Sequence, residues 1–132
     1  MATYLGTTIN ESPTITLPAG EKIEAAQGKA VIISDGAVKV ATAGANAIGV
    51  IPLSENEVIE KGEDVTIQVK DIGAWVAGEA IAVGDELSSN ETGQAVKATN
   101  GSFITAVALT AAAKTGTIIR AQIIKAGYKP SA

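Results

Sequence analysis

Alternating apolar and polar positions predict short β-strands along most of the chain. The clearest case is residues 64–70, where Val65, Ile67 and Val69 point one way and polar side chains point the other way. A period of two is typical of a strand that covers a core with one face and meets water with the other. Further strands are predicted at residues 14–17, 30–34, 37–41, 47–51, 85–89, 95–99 and 117–125.

The segments between these strands carry turn signals. Asp35-Gly36 separates two predicted strands by two residues that both favour positive φ, which predicts a tight hairpin. Residues 90–93 predict a polar turn. The polar stretch 53–63 is interpreted as a solvated loop in preference to a helical turn. The alanines at 111–113 are too few to nucleate a helix and predict a tight connector.

A segment spanning residues 20–69 is repeated, in the same order, by residues 78–123. The matched pairs are Gly20 and Gly78, Glu21 and Glu79, Ile23 and Ile81, Gly28 and Gly84, Ala37 and Ala95, Val50 and Val107, Gly62 and Gly116, and Gln68 and Gln122. Two copies are too few for a solenoid, which needs about three repeats to bury a continuous core. The repetition therefore predicts one compact body made of two similar halves.

Composition strengthens the all-β prediction. The chain has 16 Ile and 11 Val but only 5 Leu, together with 13 Thr. Branched side chains lose rotamer freedom in helices and pack well on a pleated sheet. We therefore expect a compact β-barrel or sandwich-like body of short antiparallel strands with little helix.

The length of 132 residues predicts one domain, residues 1–132, with segments of different character. Residues 1–12 are poor in charge and are interpreted as an extended N-terminal arm, either frayed or ordered by a partner. Residues 20–69 and 78–123 are the two repeats. Residues 126–132 are expected to be a loose tail.

Charge and missing residue types exclude several classes of function. The net charge is −4, and the ten basic residues are scattered, which argues against nucleic-acid binding. With no His and no Cys, catalytic triads and histidine-based or thiolate metal sites are excluded. No phosphate-binding glycine motif or calcium loop occurs, so no cofactor and no metal are expected. No apolar run is long enough for a membrane span.

Three large apolar residues are candidates for an interface. Trp75, the sole tryptophan, stands where the two repeats join. It predicts either a plug between the halves or an anchor at an oligomer interface. Ile118 and Ile124 occupy the face of the last strand that should be wet, where the first repeat has Asp64 and Lys70. This predicts burial against the rest of the body or against a second subunit.

One stretch of the second repeat resembles a known family. Residues 102–113 read SFITAVALTAAA and are followed by Gly116 and a strand over 118–124. This pattern is similar to the C-terminal portion of the small capsid decoration, or cement, proteins of tailed bacteriophages. Residues 47–51 and the turn at Ala19-Gly20 resemble earlier elements of that family. Thr105-Ala106 departs from it, since the family pattern has Ile-Gly there.

The resemblance implies a non-enzymatic β protein on the outer surface of the phage capsid. Its partner would be the major capsid protein, whose lattice it would stabilise, and homotrimers are the favoured assembly. It would be made in the cytoplasm of the host bacterium. A charge-poor arm suits insertion between capsid subunits, and the candidate contacts are Thr3, Tyr4, Leu5 and Ile9.

Two other classes of function are left open. A head-fibre base or tail-associated structural module would share the β fold and the absence of catalytic residues. A carbohydrate-binding or adhesin module should show exposed aromatic side chains, and the chain has only one Trp and two Tyr.

Overall fold

The β-branched sequence forms ten short strands in the computed structural model, which describes residues 12–130. The first sheet has the order β1-β5-β4-β2-β3. Its strands are β1 (Thr14–Pro18), β2 (Ala30–Ser34), β3 (Ala37–Val40), β4 (Gly49–Val50) and β5 (Asp64–Gln68). The second sheet has the order β6-β10-β9-β7-β8. Its strands are β6 (Asp71–Val76), β7 (Glu86–Ser89), β8 (Ala95–Lys97), β9 (Phe103–Ala108) and β10 (Ile118–Tyr128).

The two sheets are antiparallel and sandwich-like, and no helix occurs among the described residues, so the all-β prediction is confirmed. The hairpin between β2 and β3 has the predicted conformation, since φ is 51° at Asp35 and 75° at Gly36. The described part of the chain also contains no helix long and apolar enough to cross a membrane.

The second half repeats the strand order of the first, with each strand number raised by five. Equivalent hydrogen bonds recur as well. The N–H of Gly20 donates to the carbonyl of Val38 at 2.7 Å, and the N–H of Gly78 donates to that of Ala95 at 2.7 Å. The hydrogen bonds make Ala95 the structural equivalent of Val38. The sequence comparison pairs Ala95 with Ala37 instead, one residue earlier.

The halves are tied together by a shared core. One cluster of buried side chains lies entirely within the first half, and the other combines Ala30, Val50 and other residues of the first half with the second half. Trp75 lies in this shared cluster with 0% of its surface exposed, and its Nε1–H donates to the carbonyl of Gly93 at 2.9 Å. That carbonyl also accepts from the N–H of Ala30 at 2.8 Å. Trp75 is therefore the plug between the halves.

The strand β6 and the end of β10 are among the differences from the sequence-based expectation. The sequence does not predict β6, because its residues do not alternate between apolar and polar. Gly73 and Trp75 are buried on one face, but Ile72 and Val76 on the other face are also apolar. The prediction of a loose tail is wrong for residues 126–128, which belong to β10. The strand β10 continues to Tyr128, because a bulge after Ile123 lets its pairing with β9 resume at Gly127. Residues 131 and 132 lie outside the described range.

Candidate functional site

An apolar groove runs along the free edge of β6. It has a volume of about 400 Å³, and we call it the β6 groove. The residues that matter below are Leu53, Gln68, Ile72, Ala74, Ile118 and Arg120, all of which line it. A loop of the first half supplies Leu53, whereas β6 and β10 supply the opposite wall. Only folding brings these segments together.

Three large apolar side chains are exposed on the walls of the β6 groove. Leu53 is 42% exposed, Ile72 is 53% exposed and Ile118 is 52% exposed. Scattered exposed aliphatic residues are normal, but several that line one concavity mark an interaction surface. A second groove of about 290 Å³ shares Leu53 and Ile118 with the first and therefore extends the same surface.

The floor of the β6 groove is the unpaired edge of β6. The N–H of Val76 donates to the carbonyl of Gly28 at 2.9 Å, so Val76 points away from β10. The carbonyl of Ile72 accepts from Nε2 of Gln68 at 2.8 Å. Ala74 lies between them and shares their orientation, because backbone direction alternates along a strand. No described residue provides a partner for the N–H or the carbonyl of Ala74.

A second notable cluster surrounds Lys125, which has φ of 45° in the bulge of β10. Its Nζ donates to Oδ1 of Asn46 at 2.7 Å and to the carbonyl of Ala47 at 2.6 Å. It also lies 4.7 Å from the centre of the Phe103 ring, on which Tyr128 packs edge-on. Partial burial lowers the pKa of Lys125. The side chain thus fastens a loop of the first half to the second half.

Replacing Lys125 by methionine should lower the free energy of unfolding by about 1–2 kcal/mol, because two hydrogen bonds between the halves are lost while the aliphatic stem is kept. Urea unfolding followed by circular dichroism would measure the change. The control is Lys61→Met at an exposed position, which should stay within about 0.5 kcal/mol of the parent. Equal stabilities for the two variants would show that the contacts of Lys125 do not hold the halves together.

The predicted site residues fall in different places. Trp75 is fully buried within one chain, so its side chain offers no surface to a second subunit. Ile118 is exposed in the β6 groove, and Ile124 is 41% exposed near the bulge of β10. Ile124 follows Ile118 by six positions, which places the two isoleucines roughly 20 Å apart along the strand. The arm residues Thr3, Tyr4, Leu5 and Ile9 lie outside the described range.

Sequence reasoning missed Leu53, Ile72 and Ala74. Leu53 belongs to a stretch that was correctly interpreted as a loop, and nothing in that stretch indicates which strand it packs beside. Ile72 and Ala74 could have been found through the uninterrupted apolar run around Trp75, which is compatible with a strand whose two faces are both covered.

The groove offers a contact surface rather than a reaction centre. No group of three or more acidic residues in the described range is placed to hold a metal ion. Among the described residues, the groove is lined by no acidic side chain and by one cation, Arg120. Its chemistry therefore consists mainly of apolar contact and backbone hydrogen bonding, with one positive charge from Arg120.

Comparison with known proteins identifies the family. A family model described as phage cement protein matches residues 9–123. The chain belongs to the phage cement protein family. This confirms the resemblance seen in the second repeat. Cement proteins are structural and non-enzymatic, and this one is a structural protein of the phage virion head, associated with the capsid.

A solved structure supports the fold of this cement protein. The crystal structure of the N base of the head fibre gp8.5 of bacteriophage phi29 superposes with a TM-score of 0.63. The sequences are 21% identical, and the match covers 90% of this chain and 98% of that chain. A comparison with curated protein sequences finds no significant match.

Proposed function

We propose that this cement protein binds the outer surface of the phage head and stabilises the lattice of the major capsid protein. Membership of the cement protein family supports association with the capsid. The observation that supports the β6 groove as the binding surface is its exposed apolar wall, formed by Leu53, Ile72 and Ile118. A protein that binds a repeating lattice gains avidity from many modest contacts, so an open groove is sufficient. The protein would be made in the cytoplasm of the host bacterium.

We further propose that it assembles as a homotrimer. Ile124 is a better candidate for a subunit contact than Ile118. Ile118 lies at the other end of the exposed face of β10, in the β6 groove that we assign to the capsid. The fully buried Trp75 is not part of this proposal. The arm residues Thr3, Tyr4, Leu5 and Ile9 remain proposed contacts with the capsid.

Mixing the purified protein with undecorated heads of the source phage should add density on their outer surface in electron microscopy. Decorated heads should also release their DNA at a higher temperature than undecorated heads, because the added contacts brace the lattice. Light scattering of the free protein should give three times the mass of one chain. Heads that gain no density would overturn the proposed function, and a strict monomer would overturn only the trimer.

A head-fibre base is the second candidate, and the structural similarity to the phi29 head-fibre base favours it. The same micrographs separate the two functions. A cement protein should be spread over the capsid lattice, whereas a fibre base should be found only beneath projecting fibres.

A further inference from the structure

We propose that the β6 groove receives one extended segment of the major capsid protein, which pairs with the backbone of Ala74 as an added strand. This inference rests on the proposed binding to the head. It goes further by naming the surface used and the conformation of the partner. Addition of a strand to an open sheet edge is a recurrent way of binding peptides, with backbone bonds for affinity and side-chain pockets for specificity.

The backbone of Ala74 is free for such pairing because its neighbour in β10 faces the other way. Ala74 pairs in register with Arg120. The N–H of Arg120 donates to Oγ1 of Thr110 at 3.0 Å, and its carbonyl accepts from the N–H of Leu109 at 2.8 Å, both on the side away from β6. Ala74 and Arg120 therefore form a non-hydrogen-bonded pair, and Ala74 directs both backbone groups into the groove.

The groove fits a single extended segment better than the edge of a second folded body. Gln68 closes one end at Ile72, and Gly28 closes the other end at Val76. The added strand is therefore short and centred on Ala74. Its side chains would alternate, with apolar groups facing the exposed walls. A neutral or acidic segment fits best, because Arg120 is the one charged residue in the part of the lining that the structure describes.

The first half shows what a protected edge looks like at the same position. The strand β1 corresponds to β6, and its register places Thr14, Thr16 and Pro18 where β6 has Ile72, Ala74 and Val76. Oγ of Ser12 accepts from the N–H of Thr14 at 3.2 Å, and Pro18 has no N–H at all. Proline on an edge strand is a common means of blocking strand addition, and the Ser12 hydroxyl occupies the N–H of Thr14. The edge of β6 lacks that proline, and apolar walls flank it.

The variant Ala74→Pro tests the proposal directly. It removes the N–H and places a ring in the groove without breaking any bond of the sheet. Binding to undecorated heads of the source phage should weaken by about tenfold or more, because the edge bonds are lost and the ring obstructs the segment. The matched control is Thr16→Pro, which makes the same change at the equivalent edge position of β1 and should bind like the parent.

Thermal unfolding and light scattering are needed to interpret the binding of the variants. Thermal unfolding should show that both proline variants fold, and light scattering should show the oligomeric state of the parent. The proposal is overturned if folded Ala74→Pro binds heads like the parent, or if it loses self-association, which would make the groove a contact between copies. Parent protein that fails to bind heads would instead overturn the proposed function.

A cross-link identifies the occupant. The chain has no cysteine, so Ser54→Cys places a single thiol in the exposed lining of the β6 groove, and a photoreactive maleimide can be attached there. On decorated heads, mass spectrometry should find the cross-link on one short segment of the major capsid protein. A cross-link to residues 1–11 of this chain or to another copy would refute the assignment. The label attached through Asn100→Cys, outside the groove, is the control.

Discussion

Replacing Gly49 by alanine should reduce the free energy of unfolding by about 3 kcal/mol or more, which is the upper range for an overpacked core. A Cβ built on Gly49 would lie 2.0 Å from the carbonyl oxygen of Gln68 and 2.9 Å from its carbonyl carbon. Both atoms belong to the backbone of β5, so no side-chain rotation relieves the overlap. The contact between β4 and β5 must open, and the first sheet is divided at that point.

Urea unfolding monitored by the fluorescence of Trp75 would measure this loss. The control is Gly62→Ala. A methyl group added at Gly62 would meet no atom of the described residues within 4 Å apart from its chain neighbours, but φ there is 90°. This substitution should therefore cost only the strain of a left-handed residue, about 1–2 kcal/mol. If Gly49→Ala is no more costly than this control, β4 and β5 do not approach as closely as described.

Replacing Trp75 by alanine should cost about 3–5 kcal/mol, as is typical when a large aromatic residue is removed from a core. The side chain is fully buried between the halves, and its loss removes both packing and the bond from Nε1 to Gly93. Natural domains are stable by roughly 5–15 kcal/mol, so this change takes a large share of the total. Circular dichroism would measure it, since the fluorescent group is gone.

The variant Trp75→Phe separates the two contributions. It removes the indole N–H and part of the ring volume but keeps much of the packing, while the carbonyl of Gly93 retains its bond from Ala30. We expect it to lie between the parent and Trp75→Ala in stability. An alanine variant within about 1 kcal/mol of the parent would show that the halves do not depend on this plug.

A shared core has a consequence for the role of the protein on a capsid. Because Trp75 and its neighbours belong to both halves, the two sheets should unfold together as one cooperative unit. A rigid body of this kind holds the β6 groove in a fixed shape. The proposed binding of this groove to the capsid would then cost little conformational entropy on the side of the cement protein.

Much of the fold follows from local physical chemistry. The period of two marks β5 because water lies on one face and the core on the other. The conformation of Asp35 and Gly36 sets the first hairpin, since a two-residue turn needs positive φ at both positions. Matched glycines and glutamines mark the two halves because each occupies an equivalent place in the hydrogen-bond pattern.

The sequence by itself determined that this protein is all-β and belongs with the cement proteins, and its lack of His and Cys excluded the commonest catalytic and metal sites. Only the tertiary structure decided the roles of the apolar residues. It buries Trp75, exposes Ile118 and brings Leu53 from a distant loop beside β6. The reason is that periodicity records how many faces of a strand avoid water, whereas the identity of the neighbour on each face is set by contacts between residues far apart in the chain.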